Sequence, residues 1–505
     1  METGGAGGGA SSAGERVRSM RLQPPGIGAG GNSAGGLLPI PESKNDDAEG
    51  SNTQPATSTA TSEAPKTSSQ SGVGHWSNWA PVRAHSSLLS FRSLGGLSTS
   101  YFLEKQAIVL DFGCAYTKVG FATESRPRQI FPTPELRASR QGGGGGGLLS
   151  FTLSEEEWID VLDKLLTRIF FHYLSVSPKD RRVVVCDQVY SPAPFRRALA
   201  FVLFKRLAVP SISFVTDLVL PLYLTGLSSG IVVDCGHTSS RVLATFAGVP
   251  VLSAFSEAAA GGRHIQRRLR KLLRTSLPAD QLSAGAEWID KSDVIADLVV
   301  RACYVTCTLP ATKHGAEVVL KSDLAMPFTA DSDHCVNIPA ECRWRPTEAL
   351  FDTEDGEDLG EEQEEKHEQL EEVASLDGVE GMSSHRRNAA ECCSSVPEAF
   401  CQALERCPID VRAAVVQNVV VCGGCAALRG LLPRLAMELR DALRARPRMA
   451  ALAERLRFTP LDFSPIAAVW TGGAVFGALD GAGDLSREDY EKAKPLPDWA
   501  RGGFM

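Results

Sequence analysis

The stretch 107-AIVLDFGCAYTKVGF-121 decides the fold. An apolar run stops at Asp111, turns through Gly113 and resumes as a second strand-like run beyond Lys118. A carboxylate at the end of a buried strand is costly unless a donor, a water or a metal ion meets it. The same shape returns at 230-GIVVDCGHTSSRVLATFAGVPV-251: an apolar strand, Asp234, one residue, Gly236, small polar residues and a returning strand. One such turn is weak evidence. Two, each heading its own run of alternating strand-like and helix-like segments, indicate a duplicated α/β architecture with a cleft between the halves.

Outward from the first turn, RQIFPT adds a third strand. LSEEEWIDVLDKLLTRIFFHYL then places Trp158, Val161, Leu162, Leu165 and Ile169 on one helical face, behind a capping box of Ser154 and Glu157. RRVVVCDQV reads as a buried strand, PAPFRRALAFVLFKRL as an amphipathic helix, SISFV as a strand and TDLVLPLYLTG as a helix. Beyond the second turn, a helix from Val396, a strand ending at Gly423 and Gly424, and another helix complete the second half. The closing SPIAAVWTGGAVFGAL is a helix whose Gly472 and Gly473 permit close packing.

The 505 residues suffice for two or three domains, but not all of them suit a core. Residues 1–100 are crowded with Gly, Ser, Thr, Ala and Pro and are expected to be disordered. Their start lacks the apolar core of a secretory signal, and Arg16, Arg18 and Arg21 give only a faint transit-peptide flavour. Residues 352–395, strongly acidic at first, read as a solvated insertion, with docking of a basic partner as the alternative. A net charge of −8 without a basic stripe argues against direct nucleic-acid binding. No charge-free apolar run is long enough to span a membrane.

Most of the 13 cysteines sit in apolar runs, as reduced cytosolic thiols do. The motif CGGC, Cys422 to Cys425, has redox or zinc spacing. A zinc site needs a second ligand pair, which Cys401 and Cys407 do not supply, so these thiols read as structural.

A tight glycine-containing turn can aim several backbone N–H groups into one space, which suits phosphate oxygens, and Lys118 adds a point charge. Asp111 and Asp234, brought face to face by the duplication, would then hold a hydrated magnesium ion bridging the phosphates, with the VVVCGG strand end against the nucleoside. The plain alternative is two ordinary turns whose aspartates are satisfied by their own backbone.

These motifs, in this order, resemble the actin fold, within the actin, heat-shock 70 and sugar-kinase superfamily: ribonuclease H-like lobes, duplicated around a central nucleotide cleft. DFGCAYTKVGFATESRPRQIFPT looks like the first phosphate loop of actins, GIVVDCGHTSS like the second, VVVCGG like the adenosine loop and AAVWTGGAVFGAL like the terminal helix. The resemblance implies a first lobe over 101–230 closed by 460–480, a second lobe over 231–459 interrupted by the acidic insertion, and a short tail over 481–505. Carried over residue by residue, it implies a site for ATP or ADP with Mg built from Asp111, Gly113, Cys114, Lys118, Asp234, Gly236, Gly423 and Gly424. The magnesium would be held through water by Asp111 and Asp234.

The sequence departs from a working ATPase of this family. Cys114 stands for the serine of the first loop, and His237 and Thr238 for the acidic residue and glycine of the second. The glutamine that positions attacking water falls at Asp217 and its neighbouring histidine at Arg241. The lysine and glutamate that grip sugar and base fall at Val299 and Val300, and the aromatic adenine neighbour at Leu428. A hydrogen bond involving a charged group is worth about 1.5–3 kcal/mol, so losing two or three lowers nucleotide affinity by orders of magnitude. A trapped structural nucleotide fits the retained residues better than turnover does, and the chain is expected not to be an enzyme.

In actins the stretch after the first hairpin grows into a small subdomain whose loop enters the next subunit at the pointed end. Here PELRASRQGGGGGGLLSFTLS, with six consecutive glycines, is too short and flexible for a packed subdomain. YLSVSPKDRRVVVCDQVYSPAPFRRALAFVLFKRLAVPS, CPIDVRAAVVQNVVVCGG and EDYEKAKPLPDWA carry a closer likeness to the actin-related proteins at the pointed end of dynactin. The likeness implies a cytoplasmic, cytoskeletal cap of a short actin-like filament. Its partners would be filament subunits and pointed-end subunits of dynactin, and through them dynein. The alternatives are a nuclear actin-related subunit of a chromatin-remodelling complex and, less compatible with Asp217 and the two valines, an active ATPase or sugar kinase.

Overall fold

The computed structural model describes residues 105–133, 153–189, 191–278, 286–306, 325–329, 335–351, 393–479, 484–498 and 503–504. The expected N-terminal tail, the glycine tract and nearly all of the acidic insertion lie outside the described residues.

Elements are numbered in chain order. In the first lobe, the continuously buried runs IVLDF and VVVCD become β1 (Ile108–Phe112) and β4 (Val183–Asp187), and SISFVT becomes β5 (Ser211–Thr216). These three pair in parallel, while β1, β2 (Tyr116–Phe121) and β3 (Gln129–Pro132) form an antiparallel meander. With β13 (Leu485–Ser486) the sheet order is β13-β5-β4-β1-β2-β3. Strands buried on both faces suit a parallel sheet covered by helices, which explains their unbroken apolar character.

The second lobe repeats the plan. β6 (Gly230–Cys235) turns back into β7 (Ser240–Phe246), and β12 (Val419–Cys422) pairs in parallel with β6 as β4 does with β1. β8 (Val249–Pro250) and β9 (Ser256–Ala258) pair with β7, and β10 (Met326–Thr329) and β11 (Cys335–Ile338) form a separate hairpin.

Helices α1 (Glu155–Arg168) and α2 (Ala193–Phe201) cover the first sheet. α1 starts with the expected reciprocal cap of Ser154 and Glu157 and buries Trp158, Leu162, Leu165 and Leu166. Both end in a π turn, Ile169–Tyr173 and Val202–Arg206, followed by a left-handed residue, Ser175 or Ala208. α3 spans only Leu220–Tyr223, because Pro221 in its first turn bars an earlier start and the turn through Gly226, at positive φ, ends the helix that TDLVLPLYLTG suggests.

In the second lobe, α4 (Gly262–Ser276), α5 (Ser292–Ala302) and α6 (Glu341–Trp344) gather with β10 and β11 around their own apolar cluster of Leu269, Leu273, Trp288, Leu298 and Phe328. α7 (Val396–Arg406), α8 (Ile409–Val415) and α9 (Leu431–Arg444) supply the main core of that lobe. A smaller cluster joins the lobes, with Val189, Leu218 and Val219 of the first packed on Val232, Leu243 and Val420 of the second.

The chain returns to the first lobe at its end. α10 (Ala468–Gly477) lies against β1, β4 and α3, with the fully buried Trp470 donating from Nε1 to the Val109 carbonyl at 3.1 Å. Within the stretch expected as a short tail, residues 484–498 are folded onto the first lobe. β13 pairs with β5, α11 (Arg487–Glu491) is capped by Ser486, Tyr490 stacks on Phe204 at 4.8 Å and Leu496 is buried. The reason is the open edge of β5, whose backbone groups need partners. Asp484 adds acceptors for Arg182, Ser211 and Ser213.

Gly472 allows the approach of α10 to α3. A Cβ there would lie 2.1 Å from the Leu220 carbonyl oxygen, a backbone atom that cannot swing aside. Gly472→Ala is therefore expected to destabilise the protein by about 1–3 kcal/mol, read as a lower urea midpoint at unchanged slope.

Candidate functional site: the cleft between the two turns

Each turn is held by an opposite-charge pair across its hairpin. In the β1–β2 register Asp111 faces Lys118, and Lys118 Nζ donates to Asp111 Oδ2 at 2.8 Å. In the β6–β7 register Asp234 faces Arg241, whose Nη2 donates to Asp234 Oδ2. Both pairs span seven residues, so the duplication extends past Asp-x-Gly to the cation at the far side of the hairpin. Gly113 and Gly236 also correspond: a Cβ on either would meet the carbonyl oxygen three residues on, Tyr116 at 2.7 Å or Ser239 at 2.8 Å.

The turns meet across the cleft. The Thr238 hydroxyl donates to Cys114 Sγ at 3.5 Å from one turn to the other, while within the second lobe the Gly236 N–H donates to the Ser239 carbonyl and the Cys425 thiol to the Gly236 carbonyl at 3.2 Å. The start of α4 is tied to the second turn, with Gly262 N–H on the Gly236 carbonyl and Arg263 N–H on that of His237. Gly423, at φ +95°, lies so close to the second strand that a Cβ would sit 2.4 Å from Asp234 Oδ1. Gly424 faces open space. Thus Asp111, Gly113, Cys114, Lys118, Asp234, Gly236 and Gly423 come together at one cleft, with Gly424 at its edge. Val299 and Leu428 pack into the apolar clusters of the second lobe, and Val300 is exposed.

Arg241 does more than face Asp234. Its Nη1 donates to Asp217 Oδ2 at 2.7 Å, and Asp217 lies just after β5 in the first lobe. The three side chains are 16%, 4% and 10% exposed for Arg241, Asp217 and Asp234. Burial opposes the charge on Arg241, but the two carboxylates outweigh it and hold its pKa well above the ordinary value. Burial likewise opposes Lys118, and Asp111, with Asp234 behind it, lifts its pKa. Burial pushes Asp217 up to about 6, against the pull of Arg241 and with the push of Asp234 and Asp111.

Around them, the thiols of Cys186 and Cys422 are driven up by burial and Cys425 is raised to about 12, so the CGGC sulfurs are protonated core groups. His237 is pushed down by burial and by Arg263 and His264, which keeps its imidazole neutral.

Asp217 and Arg241 acting together are what motif reading misses. Taken singly, each is a departure from the family pattern. The signal that identifies Arg241 is the shared offset, Asp-x-Gly-x4-Lys in one hairpin and Asp-x-Gly-x4-Arg in the other.

The family model for Actin matches residues 156–495, most of the chain. The chain belongs to the actin family. It is 26% identical to human actin-like protein 9 over 415 residues, which cover 77% of this chain and 86% of that protein. It is 23% identical to actin-related protein 10 of Dictyostelium discoideum over 454 residues, covering 79% and 90%. Human actin-like protein 7B is also 23% identical, over 411 residues covering 77% and 86%. Among the described residues no helix is long and apolar enough to cross a membrane.

The actin fold typically binds nucleotide with Mg in this cleft, and the donor set can be tested against that group. A hydrated Mg2+ needs carboxylate oxygens free to accept from its waters. Asp111 Oδ2 is bonded to Lys118 and Asp234 Oδ2 to Arg241, so each carboxylate is already met by a fixed cation, and a guanidinium beside Asp234 repels a dication brought to the same place. Thr238 and Cys114 bridge the space between the turns. The residues present do not fit a magnesium-bridged nucleotide.

The raised pKa of Asp217 sets a sign for pH dependence. Its value is higher in the folded chain than the roughly 3.9 of an unfolded one, so its stabilising contribution is fully present below about pH 4 and lost as pH rises through about 6. Against Asp217→Asn, the wild type should gain on the order of 2 kcal/mol of relative stability between about pH 7 and pH 4.5. Parallel denaturation profiles for the two proteins would contradict this.

Proposed function

We propose that this chain is a non-catalytic actin-family subunit that ends the short actin-like filament of dynactin at its pointed end. There it docks further pointed-end subunits and so supports dynein-driven transport along microtubules. Its place is the cytoplasm and cytoskeleton.

The observation that carries the reading is the length of chain between β3 and α1. Only residues 133–154 separate these two elements of the first lobe, and six of them are consecutive glycines. That is too little for the packed subdomain through which an actin receives its next neighbour. A protomer so trimmed can still bind a filament by its other end, and growth stops with it.

Two further observations support the same reading. Asp217 and Arg241, at the positions that would orient an attacking water, are bonded to each other, which argues against hydrolysis as the chain's work. The likeness to a protein named actin-related protein 10, although only 23% identical, spans 90% of that protein.

Pointed-end growth of pre-formed actin-like filaments, followed with the purified chain added, is expected to slow to arrest at one subunit per filament end. Affinity capture from cells should return the filament and pointed-end subunits of dynactin. Elongation from the chain, or capture of a chromatin-remodelling ATPase in place of dynactin, would overturn the proposal.

A further inference from the structure

We infer that Arg241 replaces the divalent cation of this cleft: its guanidinium joins Asp217 of the first lobe to Asp234 of the second and clasps the lobes without metal or nucleotide. This goes beyond the filament reading and stands or falls separately from it.

The argument begins with charge. Three carboxylates, Asp111, Asp217 and Asp234, converge here with two cations, Lys118 and Arg241. An aspartate at 217 without Arg241 would face two other carboxylates at a buried site. An arginine at 241 without Asp217 would leave half of its planar fork without an acidic partner. Each residue accounts for the other, so the two changes act as one device.

Geometry supports the same conclusion. A guanidinium presents parallel donors that meet two carboxylates at once, which a lysine ammonium cannot do as well. Arg241 uses Nη1 for one lobe and Nη2 for the other. It is fixed in place by the β6–β7 register, while Asp217 is fixed by its own Oδ1, which accepts from the Leu218 N–H at 2.8 Å, and by its N–H, which donates to the Asp187 carbonyl. The clasp lies beside the apolar cluster that already joins the lobes, so it locks a packed contact. The Thr238 to Cys114 bond closes the cleft at a second point.

The experiment uses full-length protein and thermal denaturation. A bound ligand raises the midpoint in proportion to the logarithm of its concentration over Kd, so a metal-dependent cleft responds strongly to Mg2+ with ATP or ADP. The wild type is expected to shift by less than about 1 °C on adding EDTA, Mg2+, Mg–ATP or Mg–ADP, against several degrees for a nucleotide-dependent fold. Arg241→Gln should lower the midpoint by several degrees, because it strands two buried carboxylates. Adding Asp217→Asn to it should recover part of that loss, which a purely steric role for Arg241 would not allow. A rise of several degrees with Mg–ATP, a fall with EDTA, or an Arg241→Gln protein that melts with the wild type would each overturn the inference. The wild-type measurement decides even where a variant fails to fold.

Discussion

A guanidinium held between two carboxylates from different lobes is the contact on which the middle of this protein depends. Asp217 and Asp234 are buried, and Arg241 between them is largely covered. Such an arrangement adds little net stability compared with well-packed apolar groups, since removing three charges from water costs about as much as their attraction returns. It does fix geometry, because the charges tolerate one relative position of the lobes and penalise others. The upward shift of Asp217 has the same causes: burial first, with Asp234 and Asp111 adding to it against the pull of Arg241.

Everything near that contact is arranged by the duplication. Two hairpins of the same shape each carry an acid at the end of the inner strand and a base opposite it on the outer strand. Cross-strand partners in an antiparallel pair lie close enough to interact, so the register alone brings each acid to its base. The lobes differ at the next step. Lys118 remains within its own hairpin, whereas Arg241 reaches across to the neighbouring lobe. Gly423 then lets the third strand end come close to Asp234 and Cys235, an approach that a side chain at 423 would block.

Much of the fold was legible because its inner strands are short and largely apolar, because β1 and β6 both run into Asp-x-Gly, and because Ser154 and Glu157 announce α1. The segments between residues 252 and 350 were not, since α4 is dominated by arginine and β10 and β11 are four-residue strands with half-exposed sides. The helix suggested at TDLVLPLYLTG shrank to one turn because Pro221 and Gly226, the latter at positive φ, confine it. At the site, the residues carried over from the family pattern do converge, yet the one that organises them was read as a loss. A residue-by-residue comparison treats Asp217 and Arg241 as two defects; only three-dimensional adjacency reveals that each supplies what the other lacks.

The late position of β13 bears on how the molecule is made. β13 seals the edge of β5, and Trp470 completes the core beneath β1, yet both arrive hundreds of residues after the strands they serve. During synthesis the first lobe therefore waits, with an unsatisfied edge and an unfilled centre, while the second lobe emerges. The order in which the two lobes can mature is thereby written into the path of the chain.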